Sequence, residues 1–247
     1  KFAARVPHQG LLIGYGADSG VQELVQSLAT VPVKLYTEPI SGEMATPGAH
    51  NRLNARAAAL VCEHLGAWGP GAEAAVRSFR GAERRLQVVL SENIEVIDDY
   101  AHHPREIDAS LSALRERYPN RRLVVVYQPH LYSRTKDFLP EFIESLSKVD
   151  LLVMTDIYPA REAPLPGISS SRIAEAVACP AFYVPSRFLL AREVKHLLQD
   201  GDVVVFMGAG NISEAVPDFL AEWKRKPGRI VVAYGGDSAE REVSLHS

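Results

Sequence analysis

Residues 123–127 read LVVVY, and this stretch decides the fold class because it is apolar at every position rather than at alternate ones. A strand of this composition is covered on both of its faces. Four further short runs are similarly apolar, and they are 94–98 (IEVID), 151–156 (LLVMTD), 181–184 (AFYV) and 202–207 (DVVVFM). Helical spacing of apolar residues occurs in the intervening segments 105–117, 141–148 and 187–199. Strands separated by helices pair in parallel, so we predict an α/β fold with a Rossmann-like open, mostly parallel sheet and flanking helices over residues 80–225.

The part of the chain before this sheet is organised differently. Residues 50–65 carry apolar side chains at helical spacing and stop at Gly66, and a second short helix is indicated over about 71–79. Residues 1–28 read as a strand (LLIGYG) followed by a helix (VQELVQSL). We therefore interpret residues 1–79 as the closing part of a preceding α/β domain, with the basic stretch KRKPG at 224–228 as a linker after the sheet.

Composition limits the classes of function. The chain has 247 residues, 47% of them hydrophobic, and a net charge of −3, which gives no general field for nucleic acid or an anionic membrane. Its two cysteines are far apart, so a disulfide framework is not indicated and a reducing cytoplasm is expected. No apolar run approaches the length of a membrane helix, so no membrane insertion is expected. Because the sequence begins with Lys1, we expect the natural N-terminus to lie upstream.

Polar residues gather where the predicted strands end. The segments that follow four of the strands are DDYAHHP (98–104), QPHLYSRT (128–135), TDIYPARE (155–162) and GAGN (208–211). Parallel strands present their carboxyl ends at one edge of a sheet, where loops diverge and ligands bind. Four such segments rich in His, Arg and Asp predict a ligand-binding cleft at this edge.

Each of these residues also has a structural interpretation. Asp98 and Asp99 could cap the helix that begins near Pro104, or they could terminate the preceding strand. His102 and His103 could bind a metal, but adjacent histidines point apart and no third ligand follows at helical spacing.

His130 and Arg134 lie in one loop and could bind a carboxylate or a phosphate, with the guanidinium supplying a two-pronged donor. The alternative is a solvated loop that pairs with Glu162.

Six segments, taken in order, carry a resemblance to a known family: HNRLNARAAA, FRGAERRLQ, IDDYAHHPREI, VVYQPHLYSRTKDF, TDIYPAREAPLPGI and VFMGAGNI. They resemble the later part of the UDP-N-acetylmuramate:L-alanine ligases, which are Mur ligases of peptidoglycan synthesis, over roughly residues 50–222. The resemblance implies a UDP-substrate domain, a central ATPase domain and a C-terminal Rossmann-like domain. It implies ATP and Mg²⁺ as cofactors, with the amine of L-alanine attacking an acyl phosphate of UDP-N-acetylmuramate.

The resemblance also assigns a nucleotide-binding set. His50 and Asn51 match the family's His-Asn pair at the base of the central domain, where the asparagine contacts adenine. Arg85 and Asp99 match the residues that hold the nucleotide ribose and its surroundings.

A second set is assigned to the amino acid. His130 and Arg134 match the loop that receives it, with Arg134 directed toward its carboxylate. His102 and His103 also match the family motif, and they are expected to position the reacting groups rather than to transfer a proton. Some family members carry a second arginine where this chain has Leu131, which affects how alanine would be recognised.

Two departures from the family pattern concern the central domain. The family's phosphate loop ends in Lys-Thr or Lys-Ser after glycine, whereas this chain contains no Gly-Lys pair, and its segment from Asp18 to His50 is short. We therefore expect the chain to be inactive by itself. The alternatives are a non-catalytic nucleotide-binding or interaction module derived from a Mur ligase, and a metal-dependent hydrolase built on Asp98, Asp99, His102 and His103.

The last segment of the chain carries a different resemblance. Residues 229–247 (RIVVAYGGDSAEREVSLHS) resemble the N-terminus of the D-alanine:D-alanine ligases, which are ATP-grasp enzymes. This implies a bifunctional fusion, with residues 226–247 forming the linker and the start of the second ligase. Glu240 would help to hold the ammonium of D-alanine, although Asp237 and Glu240 also fit a helix capping box.

Overall fold

The computed structural model describes residues 3–7, 9–27 and 31–225. The predicted second ligase at 226–247, with Glu240, lies outside the described residues, as does most of the predicted 224–228 linker. Among the described residues, no helix has both the length and the apolar composition needed to span a bilayer.

The first elements form a small parallel βαβ unit. Strand β1 (Leu12–Tyr15) and helix α1 (Ser19–Ser27) confirm the predicted strand and helix, and β2 (Val33–Tyr36) pairs in parallel with β1. The carboxylate of Asp18 accepts a hydrogen bond from the Val21 amide at 2.9 Å, which caps α1. The sequence analysis did not predict β2, whose four residues include the charged Lys34.

Two helices connect this unit to the main sheet. Helix α2 (Ala49–His64) and helix α3 (Pro70–Ser78) match the predicted helices to within one residue. Gly48, with φ +102°, immediately precedes α2, and this left-handed backbone favours glycine. Pro70 begins α3 at the first helical position, where its missing N–H costs no hydrogen bond.

The main sheet has six strands in the spatial order β3-β4-β8-β5-β6-β7. Their bounds are β3 Gln87–Ser91, β4 Glu95–Asp99, β5 Leu123–Tyr127, β6 Leu151–Met154, β7 Ala181–Tyr183 and β8 Val203–Met207. All pairings are parallel except that of the edge strand β3 with β4. The predicted fold class is therefore confirmed, and the antiparallel β3 is an addition to it.

Helices cover both faces of this sheet, as the uniformly apolar strands predict. The remaining helices are α4 Pro104–Arg117, α5 Tyr132–Asp137, α6 Leu139–Leu146, α7 Ser170–Ala176, α8 Arg187–Leu197 and α9 Ala215–Lys224. Side chains of α4, α6 and α7 pack with Val125 and Tyr127 on one face. Side chains of α8 and α9 pack with Val126 and Phe206 on the other. Successive residues of each strand thus enter opposite halves of the core.

The strand register aligns the carboxyl ends that carry the candidate site. Asp99 of β4 and Tyr127 of β5 both pair with Met207 of the strand between them, β8. Tyr127 pairs on its other side with Met154 of β6. The four polar segments that follow these residues therefore leave one edge of the sheet, as predicted.

Candidate functional site

A cavity of about 840 Å³ lies between the α2–α3 segment and this edge of the sheet. Its volume is within the range typical of small-molecule sites. The residues that line it include all four of the predicted nucleotide-binding set, namely His50, Asn51, Arg85 and Asp99. The structure thus brings together residues that are up to 49 positions apart in the sequence, the separation of His50 and Asp99.

Asp99 is the most deeply buried polar residue of the predicted set, with 1% of its surface exposed. Its Oδ1 accepts a hydrogen bond from the Leu86 amide at 3.3 Å, whereas its buried Oδ2 has no partner among the described residues. Burial raises the pKa of Asp99, and the hydrogen bond from the Leu86 amide and the charge of Arg85 oppose this shift. An unpartnered buried acceptor on a cavity wall is suited to a hydroxyl donor of a ligand.

The first turn of α2 presents His50 and Asn51 to the same cavity. Asn51 donates from Nδ2 to the Pro47 carbonyl at 2.6 Å, which fixes the orientation of its amide. Burial lowers the pKa of His50, the carboxylate of Asp99 opposes this shift, and Arg85 adds to it. His50 is therefore neutral at pH 7 and can both donate and accept a hydrogen bond.

The loop that carries Arg85 has an unusual backbone. Arg84 and Leu86, on either side of it, have φ of +57° and +49°, a region that side chains other than glycine rarely occupy. The Arg84 guanidinium donates to the Gly208 carbonyl at 2.6 Å and forms an ion pair with Asp98 at 3.4 Å. These contacts hold the strained loop against the sheet edge and place Arg85 at the cavity wall.

Asp98 and Asp99 do not cap α4, so the capping interpretation was wrong, whereas the alternative that they terminate the strand is confirmed. They are the last two residues of β4, and the N-cap of α4 is His103, whose side chain accepts from the Arg105 amide. Glu106 completes a capping box by accepting from the backbone amides before it.

The predicted amino-acid set forms a second cluster, in which the structure brings together His102, His130 and Arg134. The rings of His102 and His130 meet edge to face with 5.9 Å between centroids. Arg134 NH1 lies 3.4 Å from His130 Nδ1. Burial lowers the pKa of His130, and the charge of Arg134 lowers it further, against the carboxylate of Glu162. His130 is therefore neutral at pH 7.

Glu162 forms no ion pair with His130 or Arg134, but it does pair with the loop that carries them, as the solvated-loop alternative predicted. Its carboxylate accepts instead from the backbone amide and the hydroxyl of Ser133. Glu162 thus anchors the start of α5 and leaves the guanidinium of Arg134 beside His130.

Two residues that the sequence analysis did not assign complete the cluster. Glu106 lies 3.1 Å from His102 Nδ1 and 3.7 Å from Arg85 NH1, so it touches both predicted sets. Tyr158 stacks on His130 with 5.6 Å between ring centroids. A sequence signal existed for Glu106, which follows the N-cap by three residues, but none existed for the stacking of Tyr158.

The GAGN turn at 208–211 supports this stack by close packing. The Gln128 side chain donates to Asn211 Oδ1 at 2.9 Å and accepts from the Ile212 amide at 3.0 Å, which ties the end of β5 to the turn. A Cβ placed on Gly210 would lie 2.6 Å from the Tyr158 side chain. The turn therefore requires glycine for a close approach, and it belongs to the site.

The parts of the chain that the structure describes contain no group of three or more His, Cys, Asp or Glu side chains placed to hold a metal ion. His102 and His103 accordingly have other partners: the backbone of Tyr100 and the carboxylate of Glu106 for His102, and the first turn of α4 for His103.

Comparison with known proteins identifies relatives. The family model described as "Mur ligase, glutamate ligase domain" matches residues 84–210. The chain is 40% identical over 200 residues to the UDP-N-acetylmuramate--L-alanine ligase of Mycolicibacterium gilvum, which covers 79% of this chain and 42% of that protein. It is 43% identical over 181 residues to the Geobacter sulfurreducens protein of the same name, covering 71% and 39%.

A solved structure agrees with these sequence matches. The crystal structure of the UDP-N-acetylmuramate-alanine ligase from Thermotoga maritima superposes with a TM-score of 0.62 at 28% identity, covering 73% of this chain and 39% of that one. The chain spans about two fifths of the length of the curated relatives it matches.

Proposed function

Because the chain belongs to the Mur ligase family, we propose that it is the later part of an ATP-dependent ligase that joins L-alanine to UDP-N-acetylmuramate in peptidoglycan synthesis. The observation that carries the proposal is the convergence of His50, Asn51, Arg85 and Asp99 on one cavity beside the cluster of His102, His130 and Arg134. Residues 1–79 would then close the central domain and residues 80–225 would be the C-terminal domain.

The cavity fits the nucleoside part of ATP. Asp99 Oδ2 has no protein partner within the described residues and would accept from a ribose hydroxyl, while His50 and Asn51 offer donors and acceptors for adenine. Arg85 would offset negative charge at the same wall. When bound, ATP with Mg²⁺ supplies the phosphoryl group that activates the carboxylate of UDP-N-acetylmuramate.

The second cluster fits a zwitterionic amino acid such as L-alanine. His130 Nδ1 faces a donor, the Arg134 guanidinium, so neutral His130 carries its proton on Nε2 and donates from there. His102 Nδ1 faces two acceptors, the Tyr100 carbonyl and the Glu106 carboxylate, so its Nε2 is an acceptor. Arg134 and His130 would hold the carboxylate of the amino acid, and His102 would accept a proton or hydrogen bond from its amine.

A nucleotide-release assay tests this proposal. We expect the complete protein to release ADP only when both UDP-N-acetylmuramate and L-alanine are present. We expect the 247-residue chain by itself to release none, since it contains no Gly-Lys phosphate loop and loss of even one such donor costs about a hundredfold in rate. ADP release by the chain alone would contradict this account, and nucleotide binding by the complete protein without ADP release would favour a non-catalytic module.

We also propose that residues 226–247 begin a D-alanine:D-alanine ligase, on the basis of their dense GG-x-S-A-E-R-E-V-S string. Glu240→Gln should then weaken the use of D-alanine by the complete fusion and leave the L-alanine reaction nearly intact. Glutamine can still accept a capping hydrogen bond, but it offers no full charge to an ammonium. Equal loss of both reactions with a lowered melting temperature would favour the capping role instead.

A further inference from the structure

Glu106 makes more contacts than helix capping requires. Its carboxylate accepts from the His102 and His103 amides at 3.1 and 3.3 Å, which satisfies the first turn of α4. Two further contacts serve no cap: 3.1 Å to His102 Nδ1 and 3.7 Å to Arg85 NH1. Glu106 also lines the cavity, so one side chain touches both halves of the site.

The carboxylate of Glu106 is charged where it lies beside the imidazole of His102. Burial alone would raise the pKa of Glu106, but hydrogen bonds from the His102 and His103 amides and the charge of Arg85 hold it below its ordinary value. A carboxylate is acceptor-only, and so is the Tyr100 carbonyl that lies 2.9 Å from the same Nδ1. With two acceptors and no donor beside it, Nδ1 must carry the proton.

The hydrogen-bonding role of the other ring nitrogen of His102, Nε2, follows from this assignment. A neutral imidazole has one donor nitrogen and one acceptor nitrogen, so fixing the proton on Nδ1 leaves Nε2 as the acceptor. The edge-to-face contacts of His102 with Tyr100 at 5.3 Å and with His130 at 5.9 Å limit rotation of the ring.

We propose that Glu106 is a positioning residue that holds His102 as the Nδ1–H tautomer and thereby keeps the Nε2 lone pair available to the amine of the amino-acid substrate. The inference rests on the proposed ligase reaction for its substrate, but the hold on His102 can be measured without any reaction. Because Glu106 also contacts Arg85, the same carboxylate links the nucleotide cavity to the amino-acid cluster.

Glu106→Gln separates this role from capping. Glutamine is accepted at the third position of a capping box, so α4 should keep its cap and the melting temperature should change little. The amide N–H₂ can donate to Nδ1, which no carboxylate can, so both tautomers of His102 should become populated. The matched control is Glu116→Gln, the same change ten residues further along the same helix, where it breaks an exposed ion pair with Arg52.

Two readouts decide the matter. Nitrogen-15 NMR of the imidazoles in this chain should show His102 as one Nδ1–H tautomer in the wild type and in Glu116→Gln, and as a mixture in Glu106→Gln. In the complete protein, Glu106→Gln should lower kcat about tenfold with a smaller effect on the KM for ATP, as expected for a misplaced proton acceptor, whereas Glu116→Gln should leave both constants unchanged.

The possible failures are distinguishable. An unchanged His102 spectrum in Glu106→Gln overturns the inference, whether or not the complete protein is a ligase. The complete wild-type protein could make no ligase product while the His102 tautomer still changes in Glu106→Gln. That result would contradict the proposed function but would leave intact the inference that Glu106 fixes the His102 tautomer. If Glu106→Gln alters the His102 tautomer but leaves kcat unchanged, Glu106 has no role in the reaction.

Discussion

Arg134 and His130 lie 3.4 Å apart, between NH1 and Nδ1, across one turn at the start of α5. The guanidinium is a permanent donor, so it both fixes the His130 tautomer and disfavours a second positive charge on that ring. Two residues that each have an ordinary structural interpretation in the sequence therefore form one contacting pair in the structure, and we propose that this pair binds the carboxylate of the amino acid.

Arg134→Ala should weaken L-alanine use by the complete protein. It removes a charge-assisted hydrogen bond of about 1.5–3 kcal/mol, or about ten- to a hundredfold in affinity. The KM for L-alanine measures this effect, and the affinity for UDP-N-acetylmuramate should change little. The control is Lys136→Ala, an exposed cation on the same helix. An unchanged alanine KM in Arg134→Ala would remove this residue from the site.

The same variant should raise the pKa of His130 toward the ordinary value of 6.5. Burial, the largest cause of its lowered pKa, remains in Arg134→Ala, so the recovery should be partial. In the wild type, the unfolded state binds more protons between the lowered folded pKa and 6.5, so His130 makes stability rise with pH in that window. Titration of the His130 ring by NMR measures this pKa in both proteins. A pKa that is unchanged or lower in Arg134→Ala would contradict the contact between Arg134 and His130.

Asp99→Asn should stabilise the fold at neutral pH while impairing nucleotide binding. The variant removes a buried charge, and we expect a gain of about 1 kcal/mol in the free energy of unfolding. Binding of a nucleotide should weaken, because an amide N–H₂ at the place of Oδ2 donates instead of accepting. Denaturant unfolding and nucleotide titration measure the two effects.

The gain in the free energy of unfolding of Asp99→Asn should become smaller as the pH falls. Because the folded pKa of Asp99 is raised, the native wild type binds more protons than the unfolded chain between 3.8 and that raised value. The cost of the buried charge is thus fully present above the folded pKa and disappears below 3.8. A stability gain that persists at pH 3 would show that burial of the charge is not its cause.

Gly210→Ala should displace Tyr158 from its stack on His130. The added Cβ would lie 2.6 Å from the tyrosine side chain and closer still to Gln128 Oε1, so something must shift. We expect a loss of about 1–3 kcal/mol in stability together with weaker L-alanine use. Gly71→Ala, where a Cβ meets nothing within 4 Å, should be neutral or slightly stabilising. Full retention of stability in Gly210→Ala would show that the turn tolerates a side chain.

The parallel core of the fold was predictable because its signal is local. The runs at 123–127 and 202–207 are apolar at every position, and the structure places them as neighbouring central strands. Strand β3 was not predictable in the same way. Its residues are only half-buried at the sheet edge, and its antiparallel pairing with β4 depends on the turn at 92–94 rather than on periodicity.

The sequence indicated which residues the structure brings together at the candidate site, but not how they contact one another. The strand-end argument pointed to Asp99, His102, His130 and Arg134, and the resemblance added His50, Asn51 and Arg85. Contacts made by ring stacking or by close approach of a glycine depend on distances between loops, which spacing along the chain does not encode. The segments that contain Tyr158 and Gly210 were predicted to lie at the cleft, but the contacts that these two residues make could be identified only from the structure.

The central claim is that the cavity holding His50, Asn51, Arg85 and Asp99 binds the adenine nucleotide of a Mur ligase reaction. Hydrogen exchange of the complete protein, with and without a non-hydrolysable ATP analogue, tests it most directly. We predict slower amide exchange in three segments that border the cavity: 48–54, 84–86 and 99–106. The amides of 115–122, at the opposite edge of the sheet, should exchange as before. Tight binding of the analogue with no protection in the first three segments would contradict the account.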